Sequence, residues 1–252
     1  MKIVISPAKS LDFETKVPTK KFTGAQFLSE AEILNTILKK KSPKQLSKLM
    51  SVSEKLADLN WERNQTWHLP ITPENGRQAV FAFKGTVYEG LDAYSLSEKK
   101  IETLQEKLRI LSGQYGILKP LDLIQPYRLE MGTKLKAGNK ENLYKFWGNS
   151  LTEALNNEMN EDEELINLAS NEYFKVLNKR LLKAPVITPV FKDFKNGKLK
   201  VISFFAKKAR GMMVRFILDN NIERSEDLKL FDREGYAYDD NLSTENELVF
   251  TR

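Results

Sequence analysis

FKDFKNGKLKVISFFAKKARGMMVR, residues Phe191 to Arg215, changes its hydrophobic period partway along. The first part reads as a hairpin with Asn196-Gly197 at its turn, because that dipeptide accepts the positive φ that tight hairpins need. Val201-Ile202-Ser203-Phe204-Phe205 reads as an apolar strand, and the chain beyond it reads as a helix. On that helix Lys207, Lys208 and Arg215 fall within about a quarter turn at about 100° per residue. Ala209, Met212, Met213, Phe216 and Ile217 take the opposite side. Gly211 lies inside the basic arc, where a missing side chain lets another backbone come close. The segment sets Lys192, Lys195, Lys198, Lys200, Lys207, Lys208, Arg210 and Arg215 against the single acid Asp193. A packed helix that shows water a cationic patch around a glycine suits a phosphate backbone, and the same charges also suit a plain solvated face.

Working outward, strands and helices alternate without βαβ regularity. Lys2-Ile3-Val4-Ile5 reads as a buried strand closed by Ser6-Pro7. Leu165 to Leu168, Val186 to Phe191 and Glu247 to Phe250 read the same way, as does Ala79 to Phe83. Thr23-Gly24-Ala25-Gln26 and Ser42-Pro43-Lys44-Gln45 have the spacing of helix-opening caps, the second with proline at the first helical position. Thr72-Pro73-Glu74-Asn75 predicts a helix start, Ser97 caps a helix through about Leu111, and Glu141 to Asn156 predicts a further helix. Gly24 to Trp67 is helical throughout and is a candidate lobe. No repeat or low-complexity linker interrupts the chain, so the expectation is one compact mixed α/β (α+β) domain over residues 1–252, a mixed sheet flanked by helices.

The chain has 252 residues, 41% hydrophobic and 29% charged, with a net charge of +6. That length buries one large core or two small ones, and the mild positive excess suits an anionic partner. Glu153, Glu158, Glu161, Asp162, Glu163 and Glu164 form an acidic block, and the tail after Asp219 is also acid-rich. Both are expected to face solvent, away from any anionic ligand. There is no cysteine, which excludes disulfides, thiolate zinc, iron–sulfur clusters and cysteine nucleophiles. The only histidine, His68, reads as a structural loop residue and cannot supply a multi-histidine metal site. The acidic block lacks the Glu-x-x-His pattern of di-iron bundles, so no metal and no cofactor is expected. The apolar run in MKIVISPAKSLDF is too short for a secretion signal, and no segment is long enough to span a bilayer. The expectation is a cytoplasmic protein with no membrane and no obligate protein partner.

Two regions carry candidate chemistry. Residues 43–60 fit the apolar spacing of a helix–hairpin–helix module, which presents turn amides to a DNA phosphate without reading bases. Leu46, Leu49, Met50-Ser51-Val52-Ser53 and Ala57 occupy the template positions, with Lys44, Lys48 and Lys55 nearby. Serines stand at both template glycines, so an ordinary helical hairpin is the competing reading. Elsewhere, Ser6-Pro7-Ala8-Lys9 and Asn167 to Tyr173 place small polar groups at strand ends, where α/β folds build sites. Arg109 to Gly116 and Pro126 to Gly132 are rich in glycine, aromatics and arginine and suit a ligand-lining loop. Arg128 and Glu130 equally suit a structural ion pair.

Together the segments Ile5 to Lys9, Pro73-Glu74-Asn75, Ala82 to Leu91, Leu111 to Gly116, Pro126 to Gly132, Ile166 to Ser170 and Ala206 to Gly211 resemble the YaaA family of bacterial peroxide-stress resistance proteins. The resemblance runs nearly end to end. It implies a cytoplasmic protein that limits oxidative damage, one mixed α/β domain with a positively charged cleft, and double-stranded DNA binding through a helix–hairpin–helix element at 43–60. Under it, Lys207, Lys208, Arg210, Arg215, Lys9, Arg128 and Lys48 contact phosphates, and Ser51 and Ser53 offer hairpin amides or hydroxyls. Lys84, Arg109 and Lys134 are further cleft candidates. The alternative is an enzyme acting on a nucleobase, nucleotide or nucleic acid in a pocket of Ser6, Lys9, Arg109, Glu130, Asn167, Ser170 and Tyr173, with Glu130 or Lys9 as base. No nucleophile–base pair is evident, so catalytic residues stay unassigned.

Overall fold

Short, almost wholly apolar segments build the centre of the molecule. The computed structural model describes residues 1–160 and 162–252; Glu161 of the acidic block lies outside them. One eight-stranded sheet is formed by β1 (Lys2–Ile5), β2 (Leu108–Ser112), β3 (Gly116–Leu118), β4 (Leu165–Leu168), β5 (Val186–Lys195), β6 (Lys198–Lys200), β7 (Ala237–Tyr238) and β8 (Glu247–Thr251). The order across it is β7-β8-β5-β4-β1-β2-β3, with β6 folded back on β5. The five strands from β8 to β2 run parallel, and β3, β6 and β7 are antiparallel to their neighbours. Ile3, Val4 and Ile5 have no exposed surface, as expected of a central parallel strand covered on both faces.

The first helices are α1 (Leu28–Lys39), α2 (Pro43–Met50) and α3 (Glu54–Thr66). Ser42 closes a capping box with Gln45 around Pro43, and the Ser53 hydroxyl caps α3, as the sequence predicts. Leu34, Leu38, Leu46 and Trp67 belong to the same hydrophobic cluster as the sheet, so this group is part of the domain rather than a separate lobe. Then come α4 (Thr86–Leu91), α5 (Glu98–Lys107, capped by Ser97), α6 (Ser150–Glu158) and α7 (Ser203–Asp219). α7 packs along α4, and Gly90 and Gly211 meet there. A Cβ on Gly211 would lie 1.8 Å from the Val87 carbonyl oxygen.

Several local expectations are corrected, each for a physical reason. Ala79 to Phe83 is not a strand: residues Ala79–Ala82 form a short helix, and Phe83-Lys84 pairs with Ser10-Leu11. A fully buried apolar run carries no period to separate the two. Val201 to Phe205 is not a strand either, because β6 stops at Lys200 and α7 begins at Ser203. Ala206, Ala209 and Met213 supply a buried helical stripe that extends the helix toward its start. At Thr72-Pro73 the chain turns instead of starting a helix, with the Asn75 side chain accepting from the Thr72 N–H at 2.9 Å. The Thr23 hydroxyl donates to Asp122 at 2.6 Å rather than capping α1. Gly148, with φ of 52°, breaks the expected 141–156 helix into Leu143–Trp147 and α6.

The β5–β6 hairpin projects beyond the sheet. Phe194 is 67% and Phe204 60% exposed. Lys195 stands directly across from Lys198. Its root is held by the buried carboxylate of Asp193, which accepts from Arg252 Nε at 2.6 Å and from the Tyr236 hydroxyl at 3.0 Å. Among the described residues no helix is long and apolar enough to cross a membrane.

Candidate functional site

The carboxyl ends of parallel strands are where open α/β sheets hold ligands, because the loops diverge there. In this sheet the ends of β1 and β4 lie side by side. The Ser6 hydroxyl oxygen accepts from the Ser170 N–H at 2.9 Å and lies 3.2 Å from the Ser170 hydroxyl. The Tyr88 hydroxyl donates to the Ser6 carbonyl at 3.1 Å. Residues 128–137 lie beside these ends, with a turn at Met131-Gly132, and their burial alternates. Leu129, Met131, Thr133, Leu135 and Ala137 point inward, and Arg128, Glu130, Gly132 and Lys134 take the other side, with a two-residue period.

Glu130 is the centre of this outward row. Its carboxylate takes Lys9 Nζ at 2.6 Å and Arg128 Nη2 at 3.1 Å. The Nε of Arg128 is buried and has no acceptor. A small cavity of about 10 Å³ lies behind Glu130, lined by Pro7, Ala8, Lys9, Tyr127, Arg128, Leu129 and Tyr173. Burial, with Tyr127 and Glu172 nearby, pushes the Tyr173 phenol far above its ordinary range. On the other side of Glu130 an open groove of about 730 Å³ runs between α2 and residues 130–134. Lys41, Gln45, Lys48, Met50 and Ser51 form one wall, and Gly132, Thr133, Lys134 and Glu172 the other. Glu172 accepts from the Gly132 N–H at 2.9 Å.

The structure therefore brings Ser6, Lys9, Arg128, Glu130, Ser170 and Tyr173 together and joins them to Lys48 and Ser51 through the groove. It does not bring Arg109 there. Arg109 is buried beside β1, where its Nε pairs with Glu158 at 2.5 Å and its guanidinium donates to the Leu108 carbonyl. Asn167 turns to Thr188 and to the Ala169 N–H. Lys84 stands 3.6 Å from Asp12. In the hairpin turn the Ser51 N–H bonds the Ser47 carbonyl and the Ser53 hydroxyl caps α3, so Ser51 meets the groove through its side chain.

The α7 cations lie elsewhere, and none of them lines the groove. Lys208 pairs with Glu234 at 2.5 Å. Arg215 pairs with Asp219 at 3.0 Å and stands 3.6 Å from Asp92. Burial lowers the proton affinity of Arg210, while Lys207 is exposed and in no ion pair among the described residues. Gly211 does admit a close backbone, but it is the protein's own α4. The acid-rich stretches also do not simply face solvent. Glu158, Glu163 and Glu234 meet Arg109, the Met1 ammonium and Lys208, because a carboxylate beside a half-buried cation offsets its desolvation.

Two contributors were not visible as site residues. Arg63 projects from α3 near Arg128, and burial together with that neighbouring guanidinium lowers its proton affinity. Among the described residues its side chain bonds only Asn60, at 3.3 Å. A signal existed: Asn60 and Asn64 lie a turn apart on the α3 face that buries Ala57, and polar residues on a buried face announce polar company. Lys41 lies in the short α1–α2 connection and carries no motif. Among the described residues no three histidine, cysteine, aspartate or glutamate side chains gather as for a metal ion.

Known proteins resemble this chain in sequence over nearly its full length. Residues 1–242 match the family described as peroxide stress protein YaaA. A UPF0246 protein of Flavobacterium johnsoniae is 62% identical over 252 residues, covering all of both chains. UPF0246 proteins of Hahella chejuensis and Neisseria gonorrhoeae are 57% and 52% identical, covering all of this chain and 99% and 98% of theirs. With a mixed, largely parallel sheet and a match across nearly every residue, the chain belongs to the peroxide stress protein YaaA family.

Proposed function

We propose that this peroxide-stress family member works in the cytoplasm by binding the sugar–phosphate backbone of double-stranded DNA, with little reading of bases. The seat is the groove between the α2–α3 turn and residues 130–134. One observation carries the reading. Lys41, Lys48 and Lys134 line the groove and are in no ion pair among the described residues, while its two carboxylates are already engaged, Glu130 by Lys9 and Arg128 and Glu172 by the Gly132 N–H. Cations without internal partners keep their full attraction for a polyanion, whereas Lys208 and Arg215 on α7 give up part of theirs.

The test is titration of a fluorescent duplex at several salt concentrations. Each neutralised phosphate steepens the fall of log affinity with log salt by about 0.9, so replacing Lys41, Lys48 and Lys134 by alanine should flatten the slope by roughly 2.7. Lys207→Ala should leave it unchanged. Salt-independent binding, or a triple variant that binds like the parent, would sink the groove reading.

A second reading, catalysis on a nucleotide, is favoured by the meeting of Ser6, Lys9, Glu130, Ser170 and Tyr173 at the strand ends. Against it, Glu130 is already engaged by two cations, and the cavity behind it has room for about one water.

A further inference from the structure

We infer that Lys9, Arg63 and Arg128 form a receptor for a phosphate group at the carboxyl ends of β1 and β4, and that Glu130 occupies it while the ligand is absent. Two cations meet here on one carboxylate, with a third, Arg63, near Arg128. Lys9 and Arg128 both bond Glu130, and Arg63 has no carboxylate partner among the described residues. Two neighbouring guanidiniums partly out of water repel each other, and an anion beside them offsets that cost. The donor capacity is also unfilled, since the buried Nε of Arg128 has no acceptor. A guanidinium grips phosphate with two parallel N–H groups, and here only one terminal nitrogen of Arg128 is engaged by a side chain.

The chemistry favours phosphate over a carboxylate ligand. A tetrahedral dianion offers more acceptor oxygens and matches three cations better than a single carboxylate does. Glu130 lines both the small cavity and the open groove, so it stands between the two. Rotation of its side chain into the groove joins the two spaces and frees Lys9 and Arg128 together. The inference does not depend on duplex binding, because Lys41, Lys48 and Lys134 lie on the groove side and touch none of the three cations through an ion pair.

The experiment uses the full chain and inorganic phosphate, with chloride at matched ionic strength as control. Thermal midpoint and the side-chain Nε–Hε signals of ¹⁵N-arginine are the readouts. Phosphate at about a hundred times its dissociation constant should raise the midpoint by several degrees and shift the Arg128 signal. Glu130→Gln removes the internal competitor. It should bind phosphate about tenfold more tightly, melt lower in phosphate-free buffer, and recover when phosphate is added. Arg128→Lys keeps the charge and loses the fork, and should bind about tenfold more weakly. If that variant does not fold, Arg63→Gln takes its place with the same expected direction. A nucleoside monophosphate and a 5′-phosphorylated single strand, run against its 5′-hydroxyl form, identify the source. Equal responses mean the phosphate group alone is recognised, and a stronger nucleotide response means it arrives on a nucleoside. Replacing Lys41, Lys48 and Lys134 by alanine should leave phosphate binding intact even where duplex binding is lost. If phosphate and chloride act alike on both the parent and Glu130→Gln, or Arg128→Lys binds like the parent, the receptor is ruled out.

Discussion

Gly211→Ala is expected to lower the thermal midpoint by about 6–12 °C, from a net loss of about 3 kcal/mol. Two effects oppose each other at this site. Alanine is the better helix former by about 1 kcal/mol, which by itself would stabilise α7. Its methyl group, however, would sit 1.8 Å from the Val87 carbonyl oxygen and 2.8 Å from the Leu91 nitrogen. Both are backbone atoms of α4, so no side-chain rotation relieves the clash. The helices must separate, and the contacts along their shared face loosen with them. Gly90 is the counterpart, since a Cβ there would meet the Lys208 carbonyl oxygen at 2.2 Å. Gly90→Ala should cost a similar amount. The double variant should cost less than the sum, because helices already forced apart by one methyl accept the second more easily. Calorimetry of the three variants checks this. A midpoint unchanged in Gly211→Ala would mean that α4 and α7 do not approach this closely.

Tyr115→Phe should destabilise the protein by about 2–6 kcal/mol although it removes one oxygen atom. Tyr115 has no exposed surface. Its hydroxyl oxygen accepts from the Trp67 indole N–H at 2.8 Å and from the Gln125 backbone N–H at 3.1 Å. Burial pushes the phenol up to about 12, so the group stays neutral through the physiological range. Phenylalanine would leave two buried donors without a partner, at about 1–3 kcal/mol each. The effect should spread toward the groove. Trp67 follows the last turn of α3, and Gln125 also holds the His68 backbone at both its N–H and its carbonyl. Faster hydrogen exchange at Trp67 and Gln125, with β1 and β4 still protected, is the expected pattern. Exchange rates equal to those of the parent would contradict it.

What could be read from the residues follows from how local each signal is. Ser42-Pro43 and Ser53 form caps as their spacing predicts, because a cap is decided within four residues. The strands β1, β4, β5 and β8 were legible because each is a short apolar run beside turn residues. Ala79 to Phe83 was not, since complete burial erases the period. The site was legible in halves. Ser6, Lys9, Ser170 and the Arg128–Glu130 pair lie at strand ends or in one extended run, where position speaks for itself. The pairing of Lys208 with Glu234 and of Arg109 with Glu158 spans distant parts of the chain and is fixed only by the tertiary fold. An arc of charge on a helix tells which side the cations share and nothing about the acids that will face them. Arg63 stayed hidden for the same reason, as its neighbour Arg128 comes from a distant part of the chain.

The projecting β5–β6 hairpin has a consequence for handling the molecule. Its tip offers exposed lysines on backbone with few tertiary contacts, so a lysine-directed protease should cut first near Lys195 or Lys198. The nicked chain should nonetheless stay whole under native conditions. On one side of the cut β5 is clamped between β4 and β8, with Asp193 tied to Arg252 and Tyr236; on the other α7 is wedged against α4. That makes the Asn196-Gly197 corner, which does not line the groove, a permissive point for inserting a tag or fluorophore.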